Sequence, residues 1–233
     1  MEPSDWPLAG LRLRTPDLLL RPTTEADLSA LEATLSADIA TNPRLPRFPG
    51  LDERTSRAVA ARQSYWQSVG NWSVDNWRLD FVVVVGEQII GVQSLEGEDF
   101  LVLRTVDSAS HLARDGRGRG WGKQARRAVL ALAFGPLAAE YAITSAWHHN
   151  AASLGVSRAL GYKPNGESRQ RSDTGPGADT MVHLRLSRAD WEASGQAESI
   201  KVSGFGIAGP FSDSRPRQVR RHNSHLVLHK RTL

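Results

Sequence analysis

The chain has 233 residues, 40% of them hydrophobic, and a formal net charge of +4, and this length can bury one good-sized core. It has no cysteine, which excludes disulfide bridges, thiolate metal sites and a cysteine nucleophile and fits a reducing compartment. No apolar run approaches the length of a membrane span, and the acidic first ten residues do not predict a signal peptide, so we expect a cytoplasmic protein.

The first half of the chain predicts a mixture of strands and helices. Residues 11–21 alternate in hydrophobicity around Thr15-Pro16, which predicts one strand with a kink. A valine-rich run ends at Gly86-Glu87, a pair typical of a hairpin turn. The expected elements are a strand over 11–21, a helix from Thr23 or Thr24 to about Ser36, a helix over about 52–69, and strands over 79–85, 88–95 and 100–112.

The second half contains one strand–helix–strand unit. Apolar residues recur at helical spacing from Trp121 onwards, and Gly135-Pro136 ends that helix. The expected elements are a helix over 121–134, a strand over 141–147, a helix over 150–160, a strand over 181–186 and a helical turn over 187–193. Antiparallel hairpins followed by one such unit predict a single α/β (α+β) domain over 1–198, with a mixed, mostly antiparallel twisted sheet and helices on both faces.

The sequence between the strand 100–112 and the helix 121–134 is rich in glycine and arginine. Glycines at 118, 120 and 122 leave no Cβ in the way, so a ligand can approach the backbone closely. The start of the helix offers unpaired N–H groups and a partial positive charge, and Arg117, Arg119 and Lys123 add full charges. This combination predicts a phosphate site.

Two common phosphate loops do not fit this turn. A P-loop would need glycine at Arg117 and Ser/Thr at Gln124, and a dinucleotide fingerprint needs its third glycine one residue later. The turn instead resembles motif A, Arg/Gln-x-x-Gly-x-Gly/Ala, of the GNAT superfamily of N-acetyltransferases. In that family the turn holds the pyrophosphate of an acyl-coenzyme A. The resemblance implies that the cofactor-binding residues are Leu112, Ala113, Arg117, Gly118, Arg119, Gly120, Trp121, Gly122 and Lys123.

A second motif covers residues 149–162. Asn150 is a good helix N-cap and Gly161 a good residue after a helix end, which is sufficient as a structural explanation. The segment also resembles motif B of the same superfamily, Asn-x-x-Ala/Ser and a helix that ends in Leu-Gly-Phe/Tyr. The resemblance covers about residues 8–195 and is nearest to the branch that modifies ribosomal-protein N-termini and to actinobacterial acetyl- and succinyltransferases. It implies that Asn150 and Ser153 are at the cofactor.

The resemblance implies direct transfer of an acetyl or succinyl group from coenzyme A to a primary amine of a small metabolite or protein. The ternary complex would need neither a metal nor a covalent enzyme intermediate. The strands before and after motif A would splay, and a backbone N–H at about 111–113 would polarise the thioester carbonyl. Many members carry a tyrosine that protonates the leaving thiolate. That position is Ser157 here, either a hydrogen-bond donor to the thiolate or an ordinary polar helix residue.

An ammonium acceptor must lose a proton before it attacks the thioester. The candidate bases are Asp107 and His111, then Glu96 and His148, and we favour Asp107, which strand alternation puts on the same face as His111. An exposed strand carboxylate is the structural alternative for Asp107. His148 and His149 are adjacent on a predicted strand end and would point to opposite faces, which argues against a metal site.

The donor and the C-terminal residues leave alternatives open. A succinyl donor needs a cation near the thioester, which Arg78 or Arg104 could supply. Residues 199–211 are expected to form an extension that either adds a strand or packs on the domain. Residues 212–233 hold six Lys or Arg and one Asp, so this tail carries +5 and the remainder −1.

We expect the tail to be disordered, and the alternative is an electrostatic arm that binds RNA, the ribosome or another acidic partner. The nearly neutral remainder of the chain does not predict nucleic-acid binding. The alternative function is a non-catalytic acyl-coenzyme A sensor or interaction module that uses this basic tail. The resemblance is also compatible with a homodimer.

Overall fold

The structure is a computed structural model that describes residues 6, 8–36, 48, 50–172 and 175–204. No helix within these ranges is long and apolar enough to cross a membrane. In chain order the strands and α-helices are β1 (Arg12–Arg14), β2 (Leu19–Pro22), α1 (Leu28–Thr34), α2 (Glu53–Gly70), β3 (Trp77–Val85), β4 (Gln88–Gly97), α3 (Phe100–Leu103), β5 (Thr105–Leu112), α4 (Trp121–Phe134), β6 (Tyr141–Trp147), α5 (Ala151–Ala159), β7 (Lys163–Arg171), β8 (Ala178–Ser187), α6 (Arg188–Ala193) and β9 (Lys201–Ser203).

The strands form one open sheet in the order β7-β8-β6-β5-β4-β3-β2-β1-β9. Neighbouring strands are antiparallel except β5 and β6, which are parallel and are joined through α4. The predicted single α/β domain with a mixed, mostly antiparallel sheet is confirmed.

Helices cover both faces of this sheet. On one face, α4 buries a stripe of small and aliphatic residues that includes Ala125, Val129 and Leu132, and α5 packs beside it. On the other face, Leu31 of α1 packs against Val82 and Val84 of β3. We call these the α4 face and the α1 face.

The predicted strand over 11–21 is wrong, because this segment is a hairpin of β1 and β2. Leu13 pairs with Leu20, and the turn is closed by a hydrogen bond from Thr15 N to Leu18 O of 3.0 Å. Pro16 has no N–H for a continuous strand and its fixed φ suits the turn, so the chain reverses here.

The predicted strand over 100–112 begins only at Thr105. Residues Phe100–Leu103 form α3 instead, with Phe100 edge-on against Trp77 at 5.1 Å between ring centroids. The left-handed residues Asp99 and Arg104, with φ of 45° and 46°, turn the chain at either end of this helix.

Two edge strands complete the sheet. The sequence does not predict β7, because its residues are polar, mostly exposed and without apolar alternation. In the expected extension 199–211, described as far as residue 204, β9 pairs with β1, with Val202 opposite Leu13. The tail 212–233 lies outside the described residues.

Candidate active site

The glycine turn lies between the end of β5 and the start of α4. Gly118 and Gly120 have φ of 74° and 78°, a left-handed conformation that glycine adopts without strain. The first helical hydrogen bond of α4 runs from Gln124 N to Gly120 O at 3.1 Å. The amides of residues 121–123 therefore have no partner inside the helix. A Cβ at either left-handed glycine would meet open space, so the turn is accessible to a ligand.

Three cations lie at this turn, and one of them has a structural role. Arg117 donates from Nε to Leu112 O at 3.0 Å and from Nη2 to Ser36 Oγ at 3.1 Å, which ties the end of β5 to the residues after α1. The guanidinium of Arg119 lies 5.1 Å from the centroid of the tryptophan ring that begins α4. Arg119 and Lys123 are exposed beside the unpaired helix amides.

β5 and β6 separate part-way along their length. Their pairing begins at Thr105 opposite Tyr141 and ends at Asp107 opposite Ile143. β5 continues to Leu112 with β4 as its neighbour, so its other edge is open. We call the gap between residues 108–112 and residues 144–147 the fork, and its closed end the apex. The resemblance implied such a splay.

Alternate residues of β5 direct their backbone groups into the fork. Ala113 N donates to Ile90 O at 2.8 Å, so by antiparallel alternation the odd-numbered residues of β5 bond to β4. The even-numbered residues then face the fork. The hydrogen bond from Thr144 Oγ1 of β6 to Ser108 O, 3.2 Å long, agrees with this pattern.

The open N–H groups of the fork belong to Ser110 and Leu112. The third fork-facing amide, that of Ser108, donates to the Asp107 carboxylate at 2.6 Å. Sequence reasoning named Leu112 but not Ser110. Ser110 could not be predicted because the register between β4 and β5 is not visible in the sequence. This register decides whether a backbone N–H of β5 faces β4 or the fork.

On the α4 face, a buried arginine closes the apex. Arg126 of α4 is 4% exposed, and its Nη1 donates to Thr144 Oγ1 at 3.2 Å. Burial raises the pKa of Tyr162, while the nearby Arg126 and Ser108 side chains act against that shift. Arg126 Nε, Tyr162 Oη and Ser108 Oγ are buried without a hydrogen-bond partner in the described part of the chain.

On the α1 face, the apex carries two carboxylates. Glu96 of β4 is directly opposite Asp107 of β5. Four residues along each strand, the same face carries Val92 and His111, which lie beside α1. Burial raises the pKa of Asp107 to about 6; Glu96 acts in the same direction, and the amide of Ser108 and the charge of Arg126 oppose the shift. The apex thus has an anionic side and a cationic side.

Comparison with known proteins identifies this arrangement. The acetyltransferase (GNAT) domain family matches residues 17–163, which is more than half of the chain. The chain belongs to the GNAT family of acetyltransferases. Members of this family use acetyl-coenzyme A as their acyl donor.

Solved structures of GNAT proteins share the fold. Mycobacterium smegmatis RimJ in complex with CoA-disulfide is 16% identical, covers 82% of this chain and 97% of its own, and has a TM-score of 0.61. A spermidine N-acetyltransferase SpeG chimera from Vibrio cholerae and hSSAT is 15% identical, with coverage of 76% and 98% and a TM-score of 0.60. The ribosomal L7/L12 alpha-N-protein acetyltransferase RimL, in complex with coenzyme A, is 12% identical, with coverage of 74% and 95% and a TM-score of 0.57. The TM-scores show that these proteins share the fold of this chain. The match to RimL agrees with the ribosomal-protein branch that the motifs resemble.

Within this GNAT site, the two leading candidate bases differ in position and chemistry. Asp107 and His111 share the α1 face but are about 13 Å apart along β5, so they cannot serve the same reacting atom. Burial lowers the pKa of His111 to about 4, and Arg117 acts in the same direction. The His111 Nε2 is 3.2 Å from Thr34 Oγ1, at the open end of the fork. Asp107 is at the apex, and its pKa suits a base at neutral pH.

The motif-B residues of this GNAT domain lie at the start of α5. Asn150 Oδ1 accepts from Ser153 N at 3.0 Å, so the asparagine caps the helix. Ser157 is 1% exposed, and its hydroxyl donates to Ser153 O at 3.1 Å. The hydroxyl must leave this carbonyl before it can donate to a thiolate.

The argument that His148 and His149 point to opposite faces is wrong. β6 ends at Trp147, so the histidines lie in the turn after the strand and both rings face one carboxylate. His148 Nδ1 is 2.8 Å from Asp179 Oδ1, and His149 Nδ1 is 3.3 Å from Asp179 Oδ2. Each residue offers one ligand atom within 4.8 Å of the other two. We call these three residues the histidine cluster.

Of the two cations expected near the thioester, Arg78 of β3 is directly opposite Glu96 in the row of the apex, where it donates to Asp80 Oδ1 at 2.9 Å. The other, Arg104, lies before β5 with its guanidinium 5.2 Å from the Phe100 ring centroid. A further cation, Arg126, lies at the apex on the α4 face, and sequence reasoning missed it. Its signal was a charged residue within the apolar stripe of α4.

Proposed function

We propose that this GNAT domain moves an acyl group from coenzyme A to a primary amine by direct transfer in a ternary complex. The fork carries the proposal, since it opens beside the glycine turn and supplies an unpaired strand edge for an extended ligand arm. Neither a metal nor a covalent enzyme intermediate is needed. We propose the cytoplasm as its location, from the sequence expectation given above.

The donor would lie along β5 from the turn to the apex. Its pyrophosphate would accept hydrogen bonds from the amides of residues 121–123 and gain from the charges of Arg119 and Lys123. Arg117 would keep the turn in shape through its bond to the end of β5. The pantetheine arm would pair with the amides of Ser110 and Leu112, and Asn150 would order the opposite wall by capping α5.

The acceptor would approach the apex from the α1 face. Glu96 and Asp107 favour a cationic amine there, and Asp107 accepts the proton that the ammonium must lose. The neutral nitrogen attacks the thioester carbonyl carbon, a C–N bond forms, and the C–S bond breaks as the electron pair leaves with sulfur. The attacking nitrogen loses its second proton to solvent as the amide forms. Ser157 is the proposed hydrogen-bond donor to the thiolate, which takes a proton from solvent to give free coenzyme A.

The acceptor class follows from the charge of the α1 face and is a primary amine of a small metabolite or a protein. The SpeG chimera is by name a spermidine acetyltransferase, and RimL by name modifies a protein N-terminus, so the fold accommodates both classes. Acetyl and succinyl groups are the proposed acyl groups.

Calorimetric titration with coenzyme A and acetyl-coenzyme A, followed by thiol release on a panel of amines, tests the proposal. We expect micromolar binding and release of one thiol for each amine acylated. Failure of both ligands to bind would reject the donor site. Binding without turnover on any amine would favour the acyl-coenzyme A sensor instead.

A further inference from the structure

Arg126 is a buried cation that forms no direct ion pair with the residues that the structure describes, although its charge acts on the carboxyl of Asp107. The residue is 4% exposed, and its guanidinium donates to the neutral hydroxyl of Thr144. In the described ranges it forms no ion pair within 4 Å with any carboxylate, and its Nε has no hydrogen-bond partner. A charge removed from water without a direct ion pair is costly, and the cost is offset when an anionic ligand binds against it.

Two hydroxyls accompany this guanidinium. Tyr162 Oη and Ser108 Oγ are also buried without partners among the described residues. Each hydroxyl can donate a hydrogen bond, and a guanidinium donates several in a planar array that matches a carboxylate. The three side chains are neighbours, since Arg126 and Ser108 both oppose the rise in the pKa of Tyr162, and together they offer donors that suit a small carboxylate.

The position of this site relates it to the acyl group. Thr144 and Ser108 are the first residues beyond the last paired row of β5 and β6, so Arg126 lies at the apex. In the proposed donor pose the pyrophosphate is at the other end of β5, which brings the thioester to the apex. Asp107 is on the α1 face of the sheet and Arg126 is on the α4 face. An acyl chain that reaches Arg126 would therefore extend away from the attacking amine.

We propose that Arg126, with Ser108 and Tyr162, binds the terminal carboxylate of the acyl group, so that the preferred donor is a short dicarboxylic acyl thioester. This proposal rests on the proposed acyl transfer and specifies its donor. It gives a function to the one charged residue in the buried stripe of α4.

The test compares thioesters that differ only in the distal charge. Succinyl- and butyryl-coenzyme A carry four-carbon acyl groups, of which only the first ends in a carboxylate. We expect calorimetry of the wild-type chain to give roughly tenfold or tighter binding of the succinyl thioester than of the butyryl or acetyl thioester. Malonyl- and glutaryl-coenzyme A would then measure the chain length that reaches Arg126.

Two substitutions at one position separate charge from shape. Arg126→Met keeps an unbranched stem and removes the charge, and it should remove the preference for succinyl over butyryl while leaving the affinity for free coenzyme A unchanged. Arg126→Lys should retain part of the preference. Arg158→Met, which removes an exposed cation from α5, is the matched control and should behave as the wild type.

A second readout does not depend on activity. Because the unpaired charge is buried only in the folded state, Arg126→Met should raise the midpoint of thermal unfolding without ligand. Succinyl-coenzyme A should then raise that midpoint more for the wild type than for the variant.

The outcomes distinguish this proposal from the function on which it rests. Equal binding of succinyl and butyryl thioesters by the wild type would overturn the carboxylate site and leave acyl transfer intact. A preference that survives in Arg126→Met would also overturn it. Absence of binding by coenzyme A and every thioester would reject both proposals.

Discussion

Glu96 and Asp107 lie opposite each other on β4 and β5, and both side chains are on the α1 face at the apex of the fork. Burial raises the pKa of Asp107 to about 6, and the proximity of Glu96 acts in the same direction. The pair thereby combines attraction for an ammonium group with a base that is ionised at neutral pH. The arrangement gives the proposed reaction a pH dependence that can be measured.

We expect kcat/KM to rise with pH through about 6 as Asp107 loses its proton. Asp107→Asn should remove this rising limb of the pH–rate profile and lower kcat/KM by about 10²–10⁴-fold, the usual contribution of a general base. Glu96→Gln should move the limb to lower pH, because Glu96 raises the pKa of Asp107. Asp75→Asn, which alters an exposed carboxylate, is the control. An unchanged profile in Asp107→Asn would exclude this residue as the base.

The same pKa affects folding with a defined sign. The folded pKa of Asp107 is raised from 3.8 to about 6, so the folded state binds this proton more tightly than the unfolded state. Its contribution to the free energy of unfolding therefore falls as pH rises between about 4 and 6. Urea unfolding at pH 4 and pH 6 measures this change. The free energy of unfolding should fall less between these two pH values in Asp107→Asn than in the wild type.

Substitution of Gly120 tests the glycine turn. Gly120→Ala should weaken coenzyme A binding about tenfold or more, because a Cβ then stands where the pyrophosphate approaches the backbone. Alanine at this φ of 78° also costs about 1–2 kcal/mol. Gly86→Ala, in the β3–β4 hairpin with φ of 58°, carries a similar strain without contact to the site. Equal affinities in the two variants would move the donor elsewhere.

Ser157 is tested by removal of one hydroxyl. Ser157→Ala should lower kcat roughly tenfold or more through loss of a hydrogen bond to a charged thiolate, while the Kd for coenzyme A stays unchanged. Ser68→Ala removes a comparable bond within a helix, from Ser68 Oγ to Tyr65 O at 2.8 Å, and is the control. A wild-type kcat in Ser157→Ala would show that the hydroxyl serves only the helix.

The proposed reaction should survive removal of metal ions. Treatment with a chelator, followed by dialysis, should leave turnover within about twofold, since Asp107 and positioning supply the chemistry. The histidine cluster makes this a real test, because it brings three ligand atoms together near α5. Loss of activity that Zn²⁺ restores in the wild type but not in Asp179→Asn would contradict the expectation.

Local patterns predicted much of the fold. The strand Tyr141–Trp147, the helix capped by Asn150 and the glycine turn follow from residues that are close in sequence. What the sequence did not predict depends on distant partners. The short strand β1 is held between β2 and the distant β9, and the exposed strand β7 exists because β8 lies beside it.

The same distinction applies to the candidate site. Asp107 and His111 could be assigned to one face by alternation along a single strand. Ser110 required the register of β5 against β4, and the role of Arg126 required the end of pairing between β5 and β6. Both are properties of the assembled sheet, and the charged residue in the apolar stripe of α4 does not by itself indicate the role of Arg126.

The pairing of β9 with β1 means that the outer edge of the sheet is completed last during synthesis. Until residues 201–203 have emerged, β1 presents unpaired backbone groups and an apolar side chain, Leu13, to other chains. A chain that ends at residue 198 should consequently aggregate on refolding, whereas one that ends at residue 204 should not. Light scattering during dilution from urea measures the difference, and equally clear solutions would mean that β1 needs no protection.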